Sequence, residues 1–67
     1  MITELDIWRT ARLLMTQHGD GAGYAAAQRA DALFAKNDFL GMTVWLRVGR
    51  AIDELERQNP REGEAVN

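Results

Sequence analysis

Two short polar junctions, Gln17-His18-Gly19-Asp20-Gly21 and Lys36-Asn37-Asp38, divide this chain into three stretches whose apolar residues recur every three or four positions. That step is the period of one helix face, whereas a half-buried strand alternates with period two. The chain is therefore read as all-α: a small three-helix bundle with short junctions and a flexible C-terminal tail. Its 67 residues fit one domain, and a domain so small buries only roughly 60% of the surface its unfolded chain exposes. Stability is expected to be marginal, and a second subunit would relieve the shortage.

The first helix is expected to start at Thr3, whose hydroxyl is placed to accept from first-turn amides, with Asp6 at the third helical position. Ile2 and Ile7 occupy the positions of a hydrophobic staple. Ile7, Trp8, Ala11, Leu14, Met15 and His18 then share one face, and Gly19 ends the helix in a left-handed conformation. Asp20 is the expected cap of a second helix from Ala22 to Lys36, with Gly23, Ala26, Ala27, Ala30, Leu33 and Phe34 toward the core. Its alanines admit a close neighbour, and Leu33 and Phe34 fill the wider end. Asp38 caps the third helix, whose stripe is Phe39, Met42, Trp45, Leu46, Gly49, Ile52 and Leu55. A glycine at 49 costs about 1 kcal/mol relative to alanine in a helix interior, which points to a backbone contact too close for a methyl.

From Asn59 the apolar pattern stops, and Pro60, Glu62, Gly63 and Glu64 support no helix face. The expected division is a three-helix domain over 1–58 and a disordered tail over 59–67. Arg50/Glu54 and Asp53/Arg57 place opposite charges one turn apart on an exposed face.

No apolar run reaches the 18 or so residues that a membrane-spanning helix needs, and Glu4 and Asp6 stand where a secretory signal would be basic. The absence of cysteine removes disulfides and thiolate metal sites. The expected setting is cytoplasmic, away from membranes.

Little in the chain suggests catalysis. There is no serine, and the threonines at 3, 10, 16 and 43 lack an activating histidine and carboxylate. His18 is the single histidine; Asp20 and Asp31 with it fall short of the three or four convergent ligands zinc requires, and no HExxH is present. It is read as a last-turn residue favoured by the helix dipole. Gly19-Asp20-Gly21-Ala22-Gly23 lacks both the GxGxxG register and the Lys-Ser/Thr pair of a phosphate loop. No catalytic residue, cofactor or metal is assigned, and the protein is expected not to be an enzyme.

Interaction is the remaining class. Trp8, Tyr24, Phe34, Phe39 and Trp45 are too many rings for so thin a bundle to bury completely, and tryptophan and tyrosine serve well at interfaces. Tyr24 is the ring most expected at the surface. Arg29, among Ala26, Ala27 and Ala30, is expected to reach Asp38 or the carbonyls near His18. Possible partner contacts are accordingly Trp8, His18, Tyr24, Arg29 and Trp45, for another protein or a second copy in a homodimer. A nucleic-acid reader is the alternative. Arg9, Arg12, Arg47 and Arg50 would make its contacts, as in a helix-turn-helix protein, with Thr43 beside them. Eight Lys/Arg against ten Asp/Glu, a net charge of −2, weigh against it.

The order of Trp8 and Ala11, His18-Gly19-Asp20, Ala26-Ala27-x-Arg29-Ala30-Asp31-x-Leu33, Asp38-x-x-Gly41, Trp45 and Ala51-Ile52-x-x-Leu55 resembles a family of short alphaproteobacterial proteins of unknown function. The likeness spans roughly residues 5 to 57. It implies a stand-alone intracellular helical protein with no catalytic residues to carry over.

Overall fold

A computed structural model describes residues 1–58, which form three α-helices and no strand. The tail expected over 59–67 lies outside the described residues. Helix α1 spans Glu4–His18, α2 Ala22–Ala35 and α3 Phe39–Gln58, with a single 3₁₀ turn, Gly19–Gly21, between the first two.

Local chemistry sets most of the helix ends. The Asp6 amide donates to Thr3 Oγ1 and the Thr3 amide donates to Asp6 Oδ2, both at 3.1 Å, so two orphan donors of the first turn are satisfied reciprocally. Ile2 remains half exposed. At the other end Gly19 has φ +56°, a backbone conformation costly for any residue with a Cβ, and its amide donates to the Met15 carbonyl.

The second junction is a Schellman motif. Asn37 adopts φ +62°, its amide donates to the Phe34 carbonyl, and the Asp38 amide donates to Leu33 at 2.8 Å. Asparagine is among the few side-chain-bearing residues that tolerate that conformation. Asp38 therefore closes α2 with its amide and opens α3 with its carboxylate, which accepts from the Gly41 amide at 2.9 Å. The expected cap at Asp38 is present. The cap at Asp20 is not: Gly21 stands in the cap position of α2 and no side chain bonds the first amides. The 3₁₀ turn takes up Asp20, while the helix itself starts at Ala22, as the sequence spacing suggests.

Helices α2 and α3 form an antiparallel hairpin. Moving away from the turn, Phe34 meets Phe39, Leu33 abuts Gly41, Arg29 lies over Trp45, and Ala26 faces Gly49. Helix α1 runs in the same direction as α3 along its second half, with Glu4 at Arg47 and with Ile7 and Trp8 beside Ala51 and Glu54. The core is small: Ile7, Ala11 and Leu14 from α1, Ala22 and Ala26 from α2, and Val48, Ala51, Ile52 and Leu55 from α3. Trp8, Met15, Val44 and Trp45 pack partly against it.

Several expected core positions are surface instead. Phe34 is 59% exposed, and Phe39 and Leu46 are half exposed; Ala27 and His18 also face out. Val48 and Ala51, outside the expected stripe, are buried. The reason is that α3 packs on two neighbours. Gly49 looks toward α2, Ala51 lines the contact with α1, and the buried arc spans both directions. Gly49 does face another helix, but a Cβ added there would lie 3.9 Å from the Ala26 Cβ, an ordinary contact, so a methyl fits. The glycine with no room is Gly41, where a Cβ would come within 3.0 Å of Asp38 Oδ2 and Leu33 Cδ1.

Candidate functional site

Burial stops partway along the hairpin. None of residues 31–47 is buried, although they include Leu33, Phe34, Phe39, Leu40, Met42, Val44, Trp45 and Leu46. The change is clearest along one line of α3. Leu55 and Val48 are 5% and 1% exposed, Val44 is half-buried, and Leu40 is 85% exposed. These residues lie on one face of the helix, four or seven positions apart. The face that α1 covers thus continues past the start of α1, where nothing among the described residues covers it. We refer to this part of the α2–α3 hairpin as the arm.

The arm carries a polar tip and a charged base. At the tip are Lys36 and Asp38, the latter tied to its capping bond. At the base, Glu4 accepts from Arg47 Nη2 at 3.3 Å, both side chains largely in solvent. Asp6 sits two residues further along in the same first turn of α1, and the bond from the Thr3 amide holds its carboxyl below the ordinary value. Between tip and base, the Phe34 and Phe39 rings meet at a centroid distance of 5.8 Å and a tilt of 58°. Their interplanar angle is the tilted geometry that aromatic quadrupoles favour.

A second feature is an open groove of about 290 Å³ between α1 and α3, lined by Glu4, Ile7, Trp8, Arg47, Arg50, Ala51 and Glu54. That volume is at the lower edge of the roughly 300–1,000 Å³ of small-molecule pockets. Its acids are engaged: Glu4 with Arg47, and Glu54 with Arg57 and Gln58. The Arg57 hydrogen bond keeps the Glu54 carboxyl below its ordinary value. The groove has no histidine or nucleophile for acid-base work, and no group of three or more His, Cys, Asp or Glu able to hold a metal occurs among the described residues.

The residues singled out from the sequence fall into separate places. Trp8 is half-buried at the α1–α3 groove. Trp45 is half-buried on the hairpin, and the Arg29 guanidinium carbon stands 4.8 Å from its ring centre. Arg29 therefore makes a cation–π contact in place of the expected reach to Asp38 or the loop carbonyls. Tyr24 is 70% exposed, as expected, and its hydroxyl accepts from Gln28 Nε2 at 3.3 Å. His18 is exposed at the end of α1. Of the five, Arg29 and Trp45 are in direct contact.

The four arginines of the nucleic-acid reading lie on α1 and α3, two on each. Arg9 and Arg12 are exposed on α1; Arg47 and Arg50 share the groove with Glu4 and Glu54. The i,i+4 pair Asp53–Arg57 is present at 3.0 Å, whereas Arg50 and Glu54 line the groove without pairing. Sequence reasoning missed Leu40 and the surface role of Phe34, Phe39 and Leu46. A signal existed in the apolar stripe beginning at Phe39, eight residues before the level of Glu4 on α3. No helix of the described residues is long and apolar enough to cross a membrane. Comparison with family models, with curated proteins and with solved structures gives no match, so the functional reading rests on geometry alone.

Proposed function

We propose that the protein is a noncatalytic protein–protein interaction module of the cytoplasm, with the apolar arm of the α2–α3 hairpin as its docking surface and self-association as its mode. The observation that carries this reading is the end of burial at residue 48. A helix face that is buried at Leu55 and Val48 is half-buried at Val44 and leaves Leu40 in solvent. Apolar area left in water is the main source of association free energy, at about 25 cal/mol per Å² covered. A patch continuous with a core also has a better claim to a partner than the isolated apolar residues found on every surface.

The nucleic-acid alternative has less support. A helix-turn-helix reader crosses its two helices at about 90–120° and touches over a short stretch, whereas contacts between α2 and α3 run in register from Phe34 and Phe39 to Ala26 and Gly49. Light scattering across about a hundredfold concentration range tests the leading reading, because association driven by mass action must raise the molar mass with concentration. The expected result is growth from monomer toward dimer. A monomer at every concentration, together with binding to duplex DNA at low salt, would replace this reading with the alternative.

A further inference from the structure

Coverage of the arm must satisfy its charges as well as its apolar residues. The tip holds Lys36, the single lysine of the chain, beside Asp38. The base holds Glu4 beside Arg47, with Asp6 in the same first turn of α1. Each end thus carries both signs of charge, Arg9 and the N-terminal ammonium also lying near Asp6 at the base, with Leu40, Val44 and the Phe34–Phe39 pair between the ends. From Phe39 to Arg47 the arm is about 12 Å long at 1.5 Å per residue.

Two copies of such an arm have two simple ways to lie together. Tip against tip leaves most of the apolar length uncovered. Antiparallel and fully overlapped, the arms bring the tip of each to the base of the other. Lys36 then meets Glu4 and Asp6, Asp38 meets Arg47, and Leu40 and Val44 lie between two polar ends. The contact is self-complementary, as a two-fold interface requires.

We infer that a second copy of this chain covers the arm in antiparallel register, with Lys36 of each copy against Glu4 and Asp6 of the other and Leu40 and Val44 between the charged ends. The inference rests on the self-association reading above and adds the surface, the register and the charges. A stable specific interface buries on the order of 1,200–2,000 Å² in total. An arm of two helical turns falls below that range, among transient contacts, so the dimer is weak and in exchange with monomer.

The experiment is sedimentation equilibrium of the full chain and four samples: Leu40→Glu, Lys36→Glu, Glu4→Lys, and an equal mixture of the last two. All three substituted side chains are exposed, so the thermal midpoint of each variant serves as its folding control. Leu40→Glu should weaken dimerisation at least about thirtyfold, since it places a charge in the covered apolar stretch. Lys36→Glu and Glu4→Lys should each weaken it about tenfold, because an exposed pair is worth up to about fivefold and two are lost per dimer. Their mixture should recover wild-type affinity, since every tip then meets a base of opposite charge in the mixed dimer.

A dimer that survives Leu40→Glu overturns the arm as the surface while leaving self-association standing. A dimer lost with Leu40→Glu but not restored in the mixture overturns the antiparallel register. A wild-type chain that stays monomeric into the millimolar range overturns both the second copy as occupant and the self-association reading.

Discussion

The two halves of the α2–α3 hairpin are both apolar but have opposite fates. The half beside α1 presents the small residues Ala22, Ala26, Val48 and Ala51 together with Ile52 and Leu55, all 5% exposed or less. The arm presents Phe34, Phe39, Leu40 and Leu46, large residues that are all about half exposed or more. Small side chains admit a third helix at close range, and the close approach then excludes water from every residue of the contact. Large side chains without such a neighbour remain in water. Apolar character alone therefore did not determine burial; the position of α1 did.

Substitutions can break that comparison. The largest effect is expected in the covered half. Ile52→Ala or Leu14→Ala removes side chains only 1% exposed and should lower stability by about 2–5 kcal/mol, whereas Leu40→Ala should change it by less than about 0.5 kcal/mol at a concentration where the chain is monomeric. Urea titration of the three variants reads both values. Equal losses at 40 and 52 would mean that the arm is packed after all.

Glycines sharpen the comparison at the next level. Asp38→Ala should cost about 1 kcal/mol as a lost cap. In a Gly41→Ala background the same change should cost almost nothing, because the added Cβ has already displaced the Asp38 carboxylate. A double-mutant cycle of thermal midpoints gives the coupling. In the covered half Gly49→Ala has room for its methyl and should gain up to about 1 kcal/mol. A loss there would show that α2 and α3 approach more closely than this geometry.

Arg29→Gln removes the cation over Trp45 and should cost about 0.5–1 kcal/mol. Indole emission together with a melt would detect it, and a melt identical to wild type would sink the contact. The smallest effect is that of pH. Asp6 and Glu54 have carboxyls held below their ordinary values, by the Thr3 amide and by Arg57 respectively. A depressed folded pKa contributes stability that is present above the unfolded value and lost as pH falls through the folded one. Stability should therefore decline in acid below the ordinary carboxylate range, and Thr3→Ala should flatten part of that decline. An unchanged acid limb in Thr3→Ala would remove the capping box as its source.

Helix ends were legible where a side chain can reach only its own turn. Thr3, Asp6, Gly19 and Asp38 took the expected roles because each bond or backbone angle involves residues at most five positions apart. Asp20 failed as a cap because the 3₁₀ turn competed for the same residues. Asn37 as the left-handed residue of a Schellman motif was open to sequence reasoning but obscured by reading the junction only as polar. The candidate surface was least legible. Periodicity placed Phe39 and Leu46 on an apolar face of α3 but had no means of telling which turns of that face have a neighbour.

By itself the sequence determined three helices, their ends and the residues suited to close approach, all of which follow from interactions within one or two turns. Only the tertiary structure decided that α1 lies along the second half of α3, that Val48 and Ala51 enter the core, and that Leu40 is left in water. Those outcomes depend on where a helix of fifteen residues stops against one of twenty, and contact between distant segments is not encoded in the period of either.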